Sequence, residues 1–322
     1  MAKILVTGGA GYIGSHMTAI LVEHGHEVVV FDSLVTGYPD AVLNSKLIIA
    51  DLANLQALED CFAAYKFDAV MHFAGFIQIG ESIKNPAKYY QNNVANSLNL
   101  LSVMKKFGVN KLIFSSSAAV YGEPLTIPID INHPTKPLNP YGSSKLIFEE
   151  ILQDYDLAYG LKSISLRYFN AAGADPQGLL GERHNPETHL IPLVLQVASG
   201  NRKNVEVFGN NYPTKDGTCV RDYIHVCDLC EAHMQALEVL LQGGKSAFYN
   251  LGNSNGYSVL EVINTVKQVT DKEISVIYGP KRAGDPAVLV ADAKAAMQEL
   301  GWRPKYVDLA TMIKHAWQWE CR

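Results

Sequence analysis

The run Lys3-Ile4-Leu5-Val6-Thr7 leads without a break into Gly8-Gly9-Ala10-Gly11-Tyr12-Ile13-Gly14. The apolar run is too short for a buried helix and is ended by glycines, so it reads as a buried strand. A helical pattern runs from Ser15 to Glu23, then comes a second apolar run, His26 to Phe31, closed by Asp32 and Ser33. Strand, glycine turn, helix, strand and terminal acid are, in that order, the parts of a βαβ nucleotide fold. Gly8, Gly11 and Gly14 permit a tight turn and a close approach of main chain to a pyrophosphate. That group rests on the free N–H groups of the helix start. Asp32 stands where an acid accepts hydrogen bonds from the adenosine ribose. A carboxylate there repels a 2′-phosphate, so NAD is expected as cofactor rather than NADP.

The pattern continues. Further strands are expected at 47–50, 69–73, 111–114 and 163–166, with helical stretches between them. Asn93 to Phe107 carries Val94, Leu98, Leu101 and Met104 on one stripe, and Lys145 to Tyr155 does the same with Phe148, Ile151, Leu152 and Tyr155. Strands alternating with helices predict an α/β fold, a Rossmann-type doubly wound parallel sheet whose ligand lies at the carboxyl ends of the strands. Gly8 to Gly14, Asp32, Asp51, Phe73-Ala74-Gly75 and Ser115-Ser116-Ser117 all fall at such ends. After Asn170 prolines and glycines become frequent and the periodicity weakens. We therefore expect an NAD-binding domain over 1–173 and a second, smaller α/β substrate lobe over 174–322. A segment near 225–251, ending in the strand-like Phe248-Tyr249-Asn250-Leu251, is a candidate to rejoin the first sheet.

Tyr141 and Lys145 stand four residues apart, so on a helix they share a face. An ammonium beside a phenol favours the phenolate, and that makes a proton acceptor usable near neutral pH. The formal net charge of −5 argues against nucleic acid or an anionic membrane as partner. Five cysteines without a framework pattern read as reduced thiols of a cytoplasmic protein. His225-Val226-Cys227-Asp228-Leu229-Cys230 lacks a second ligand pair at zinc spacing, and no metal is expected in this chain.

With these residues in view, the chain resembles the extended short-chain dehydrogenase/reductase family and, within it, the UDP-glucose (UDP-galactose) 4-epimerase branch. Thr7 to Gly14, His72-Phe-Ala-Gly75, Ser115 to Tyr121 and Tyr141-x-x-x-Lys145 carry the family likeness. Arg167-Tyr-Phe-Asn170, Phe208-Gly209, Asp216 to His225 and Arg282-Ala-Gly-Asp285 carry that of the branch. The resemblance implies that Tyr141 takes the proton of the sugar 4-hydroxyl as hydride leaves C4 for NAD. Ser117 would hold the same oxygen, and Lys145 would bind the nicotinamide ribose. The 4-keto sugar then turns its other face and is reduced to the C4 epimer. Cofactor contacts are implied at Tyr12, Ile13, Asp51, Leu52, Phe73, Ala74, Gly75, Asn92, Ser115, Tyr168 and Phe169. Substrate contacts, to a UDP-hexose, are implied at Asn170, His189, Leu190, Phe208, Arg221, Arg282, Asp285 and Leu289. A homodimer formed through two helices is implied as well.

Two positions depart from the branch. Ile77 stands where a lysine often approaches the cofactor phosphates, so NAD is expected to be held less firmly. Leu289 stands where tyrosine often limits the space for an N-acetyl group, which suggests tolerance of N-acetylated UDP-hexosamines. Related dehydratases add an acid pair after the serine strand end, and Ala118-Ala119 occupies that place. A uronic-acid 4-epimerase and a catalytically silent dinucleotide sensor are the alternatives. Sensors of that kind usually lose the tyrosine or the lysine, and both are present here.

Overall fold

Alternation along the short apolar runs decides the architecture. Ile4 and Val6 face one way and Leu5 the other; Val28 and Val30 oppose Val29 and Phe31 in the same manner. A strand that is apolar on both faces must be covered on both, and helices supply the cover. The computed structural model describes residues 1–282 and 285–322; the middle pair of the Arg282–Asp285 motif lies outside the described residues.

The described residues form thirteen strands. Those before Asn170 are β1 Lys3–Thr7, β2 Glu27–Asp32, β3 Lys46–Ile49, β4 Ala69–His72, β5 Lys111–Ser115 and β6 Lys162–Tyr168. The others are β7 Asn170–Ala172, β8 Val205–Phe208, β9 Val220–His225, β10 Ala247–Leu251, β11 Gly256–Ser258, β12 Val276–Gly279 and β13 Val288–Leu289. Seven pair in the order β10-β6-β5-β4-β1-β2-β3, every ladder parallel. The order reverses at β1, which has β2 on one side and β4 on the other. That switch opens a crevice at the carboxyl ends of the strands. β10 joins from far along the chain, with Tyr249 opposite Leu166.

On one face, helix Tyr12–Glu23 packs Met17 and Leu21 among Leu229, Cys230 and Leu237 of helix Val226–Leu241. On the other, helices Leu55–Ala64, Asn96–Lys106 and Pro140–Tyr159 bury Leu58, Leu101, Met104, Phe148 and Leu152. A second sheet centres on β9, flanked by β7, β11 and β13, and β8 pairs with β12. A third apolar cluster, including Ile191, Val207, Tyr223, Val262 and Ile313, lies beneath these strands.

One helix differs from its expected form. Residues Gln91–Ala95 make a π-helical turn before the α-helix begins at Asn96. The wider turn rotates the helix beyond it, so Leu98 is 37% exposed while Leu100, outside the expected stripe, is fully buried. Among the described residues no helix is long and apolar enough to cross a membrane.

Candidate active site

The turn after β1 is built to let main chain pass main chain. Gly8 has φ +74°, and a Cβ there would meet the Ala74 nitrogen at 2.4 Å. A Cβ on Gly14 would meet the Gly8 carbonyl at 2.1 Å. Gly11 caps helix Tyr12–Glu23 with no side chain, leaving the first-turn N–H groups unfilled. Asp32 accepts N–H bonds from Ala10 (2.9 Å) and Leu34 (2.8 Å). Burial raises its carboxyl above the ordinary value, and these two donors pull it back. Ser33 and Asp51 lie half-buried beside the β2 and β3 ends. Asp51 accepts from the Ala53 N–H at 2.7 Å, and Leu52 is buried against the core.

At the next strand end, Phe73 and Ala74 donate their N–H groups to Thr7. Asn93 then fixes the loop. Its amide oxygen accepts from the Phe76 N–H (2.9 Å) and from Asn92 (2.9 Å), and its nitrogen donates to the Phe76 carbonyl and to Ser144. Sequence reasoning singled out Asn92 and passed over Asn93. The signal was present, since two asparagines are unusual inside an apolar helical stripe. Behind this loop His72 is fully enclosed, with Nδ1 2.7 Å from Thr7 Oγ1 and Nε2 3.1 Å from Ser97 Oγ. Burial holds its imidazole down to about 3.

The end of β5 and helix Pro140–Tyr159 carry the proton-handling groups. Asn139 caps that helix by accepting from the Gly142 N–H, and Tyr141 and Lys145 then lie one turn apart, both buried. Lys145 Nζ donates to the Ser115 carbonyl at 2.8 Å and lies 6.0 Å from the Tyr141 ring centre. Burial brings its ammonium down to about 8, against the opposing pull of Glu149. The Tyr141 phenol is raised above its ordinary value by burial, and the Ser117 hydroxyl beside it acts the other way. The expectation that Lys145 lowers Tyr141 therefore needs correction. The ammonium is turned onto a carbonyl, and desolvation dominates the phenol. Ser115 Oγ pairs with Tyr168 Oη at 2.9 Å.

Beneath these residues lies a polar network that sequence reasoning missed. Ser116 donates to Glu149 at 2.6 Å, and Arg167 forks onto both Glu149 oxygens at 2.9 and 2.6 Å. Arg167 also donates to Tyr121, and Tyr121 donates to Asn250 of β10. Glu149 is fully buried, and its i,i+4 spacing from Lys145 was the legible clue.

The remaining candidates converge on the second sheet. The β6–β7 junction places Phe169 against a small buried cluster that includes Ala118 and Tyr121, and Leu289 packs on the same cluster. Asn170 donates to the Asp222 carbonyl at 2.9 Å. Leu289 pairs with Arg221 across β13 and β9, and Arg221 forms an ion pair with Asp285. The Arg282 guanidinium lies 3.8 Å from the Phe208 ring centre. His189 caps helix Leu190–Ala198 by position, but its Nδ1 faces Glu182 and Glu187, each at 2.9 Å. Burial pulls the His189 imidazole down, and these carboxylates together outweigh it, raising it to about 10.

Residues 4–252 match the NAD dependent epimerase/dehydratase family. The chain belongs to this family. A UDP-glucose 4-epimerase of Halalkalibacterium halodurans is 50% identical over 98% of this chain and 95% of its own length. The crystal structure of UDP-glucose 4-epimerase from Brucella ovis in complex with NAD has a TM-score of 0.97 at 43% identity, covering 99% of both chains. That from Bifidobacterium longum in complex with NAD+ and UDP has a TM-score of 0.94 at 41% identity, covering 99% of this chain and 98% of the other. The residues present suit the family's cofactor. An uncapped helix start, a glycine turn in which a Cβ on Gly11 meets nothing nearer than 3.5 Å, and a buried Asp32 together fit a dinucleotide.

Proposed function

We propose that the chain interconverts UDP-galactose and UDP-glucose, binding NAD through residues 1–173 and the UDP-sugar through 174–322. The observation that carries this reading is the buried Tyr141 phenol beside Ser117 and Lys145, at the sheet edge that also bears the glycine turn. When bound, NAD supplies reversible oxidation and reduction at the sugar C4 carbon. Tyr141 accepts the 4-hydroxyl proton and later returns it, while Ser117 holds the same oxygen. Lys145, within reach of Gly75 and the Ser115 carbonyl, binds the nicotinamide ribose. Burial raises the Tyr141 phenol and so thins its phenolate population; a cation bound beside it would favour the phenolate that accepts the proton.

Epimerisation requires one proton-handling group to meet both faces of the sugar. Firm binding therefore belongs on the UDP, with the sugar held loosely. Arg221 and Arg282 supply guanidinium forks for the diphosphate, and Phe208 lies by the uracil. Arg221 exchanges Asp285 for phosphate oxygens as it does so. Asn170, Leu190 and the free Nε2 of His189 face the nucleotide sugar. Leu289 leaves room for an N-acetyl group, so UDP-N-acetylglucosamine turnover is expected, and Leu289→Tyr should suppress it while sparing UDP-galactose. We further propose a cytoplasmic homodimer. The free thiols of all five cysteines support the compartment, and light scattering tests the dimer.

The deciding experiment incubates the purified protein with UDP-galactose, no cofactor added, and quantifies UDP-glucose. Turnover supports the reaction together with NAD retained through purification. Turnover only after NAD is added supports the reaction and points to Ile77, 39% exposed, as the cause of loose retention. No conversion with NAD present overturns the assignment.

A further inference from the structure

The connection between β7 and helix Leu190–Ala198 carries Glu182, His184, Glu187 and His189, spaced E-x-H-x-x-E-x-H. Each offers one ligand atom, and the four atoms all lie within 4.8 Å of one another. His189 Nδ1 is 2.9 Å from Glu182 Oε1 and from Glu187 Oε1. His184 Nδ1 is 3.3 Å from Glu182 Oε1 and 3.4 Å from Glu187 Oε2. A tetrahedral zinc ion with bonds of 2.0–2.2 Å sets its ligand atoms roughly 3.4 Å apart. The four histidine–carboxylate separations, 2.9–3.4 Å, bracket the short side of that edge length, with Glu187 offering a different oxygen to each histidine, and the whole set lies within 4.8 Å.

A second observation separates a metal site from a set of ion pairs. His184 Nδ1 is buried and, despite its nearness to two carboxylates, makes no hydrogen bond to either. A nitrogen sealed from water and misaligned for donation is costly as an N–H group. As a lone pair aimed at a cation it is satisfied. Glu182 and Glu187 are only 8% and 6% exposed, so their carboxylates face the cluster rather than solvent. Glu187 is also braced, accepting the N–H groups of Thr188 (2.7 Å) and His189 (2.8 Å). The Glu182 carbonyl accepts from Trp319 Nε1 at 3.1 Å. Ligands held from behind in this way are the ordinary support of a metal centre.

We propose that Glu182, His184, Glu187 and His189 bind one divalent zinc ion. Two imidazoles and two carboxylates suit zinc among the available metals, and their charges balance it. Four protein ligands fill the coordination sphere, so the ion is structural. It ties the lead-in to helix Leu190–Ala198 beside the cofactor turn, where Tyr12 stands edge-on to the His184 ring at 6.5 Å. The site does not depend on the reaction assigned above.

The test grows the full chain with zinc supplied and purifies it without chelators or a metal-affinity step. Metal is then counted against protein by mass spectrometry. About one zinc per chain is expected. After chelation, zinc titrated against a chromophoric competitor should restore that stoichiometry, and cobalt(II) should give the intense absorption of a four-coordinate ion. His184→Ala and Glu187→Gln should each weaken zinc binding by more than about 100-fold. Tyr141→Phe should keep the metal whatever its activity, which separates this proposal from the catalytic one. A folded wild-type chain that takes up no zinc overturns the proposal, as does zinc retained undiminished by both variants. If the variants do not fold, the wild-type stoichiometry and cobalt spectrum decide, and a six-coordinate spectrum counts against it.

Discussion

The edge of the seven-stranded sheet arranges its groups with main chain, whereas the second sheet arranges its groups with charged side chains already paired to one another. Gly8, Gly14 and Ala74 meet through backbone, and Asp32 is held by two N–H groups. Across the crevice Arg221 is bound to Asp285, Arg282 covers Phe208, and His189 faces two carboxylates. In the first region the glycine turn and Asp32 are set by main chain, and only Lys145, on the Ser115 carbonyl, has a side-chain contact to share with a ligand. In the second, Arg221 must exchange Asp285 for a ligand, which sets binding selectivity against an internal competitor. Preorganised main chain loses little entropy on binding; paired side chains give up an interaction each.

The sharpest way to break this contrast is Tyr141→Phe. Removing the proton acceptor should lower UDP-galactose turnover by about 10²–10⁴-fold while leaving the NAD content of the purified protein unchanged. Parallel loss of NAD would mean that the two regions are not separable. Gly14→Ala should act in the opposite sense. A Cβ that meets a carbonyl at 2.1 Å forces the turn open, costing about 1–3 kcal/mol of stability and stripping NAD, as read by thermal melts and cofactor absorbance. Arg221→Lys keeps the charge and loses the fork, so KM for the UDP-sugar should rise about tenfold with kcat little changed. A fall in kcat alone would place Arg221 in the chemistry instead.

The smallest effect concerns pH. Burial holds His72 down to about 3, against an ordinary 6.5. Between those values the unfolded chain binds a proton that the folded chain refuses. The contribution is therefore complete above about pH 6.5 and is lost as pH falls toward 3. His72→Gln should reduce proton uptake on acid unfolding by up to about one proton, measured from the pH dependence of urea melts. An unchanged slope would show that the His72 cage opens without unfolding.

Periodicity and glycine placement made the first region readable, because a backbone site leaves a local pattern. Strand alternation, the turn at Gly8 to Gly14 and the Tyr141–Lys145 spacing all lie within a few residues of their partners. The network of Ser116, Glu149, Arg167, Tyr121 and Asn250 escaped because its members meet only after β6 and β10 pair. Lys145 was read as acting on Tyr141 because spacing gives proximity but not desolvation. The stripe after Asn93 was misphased because a π-turn has no simple residue signature. The cluster Glu182 to His189 was legible as letters, but its spacing of mixed carboxylates and imidazoles differs from the paired cysteine and histidine spacing that marks zinc in a sequence.

The pairing of β10 with β6 has a consequence for how the chain is made. Until Ala247–Leu251 has left the ribosome, the nascent protein carries β6 as an open strand edge, and Tyr121 waits for Asn250. Such an edge is a template for pairing with other chains. During synthesis the first sheet thus spends the translation of roughly eighty residues unfinished. Chaperone demand, rather than activity, is where a lesion in β10 would first be felt.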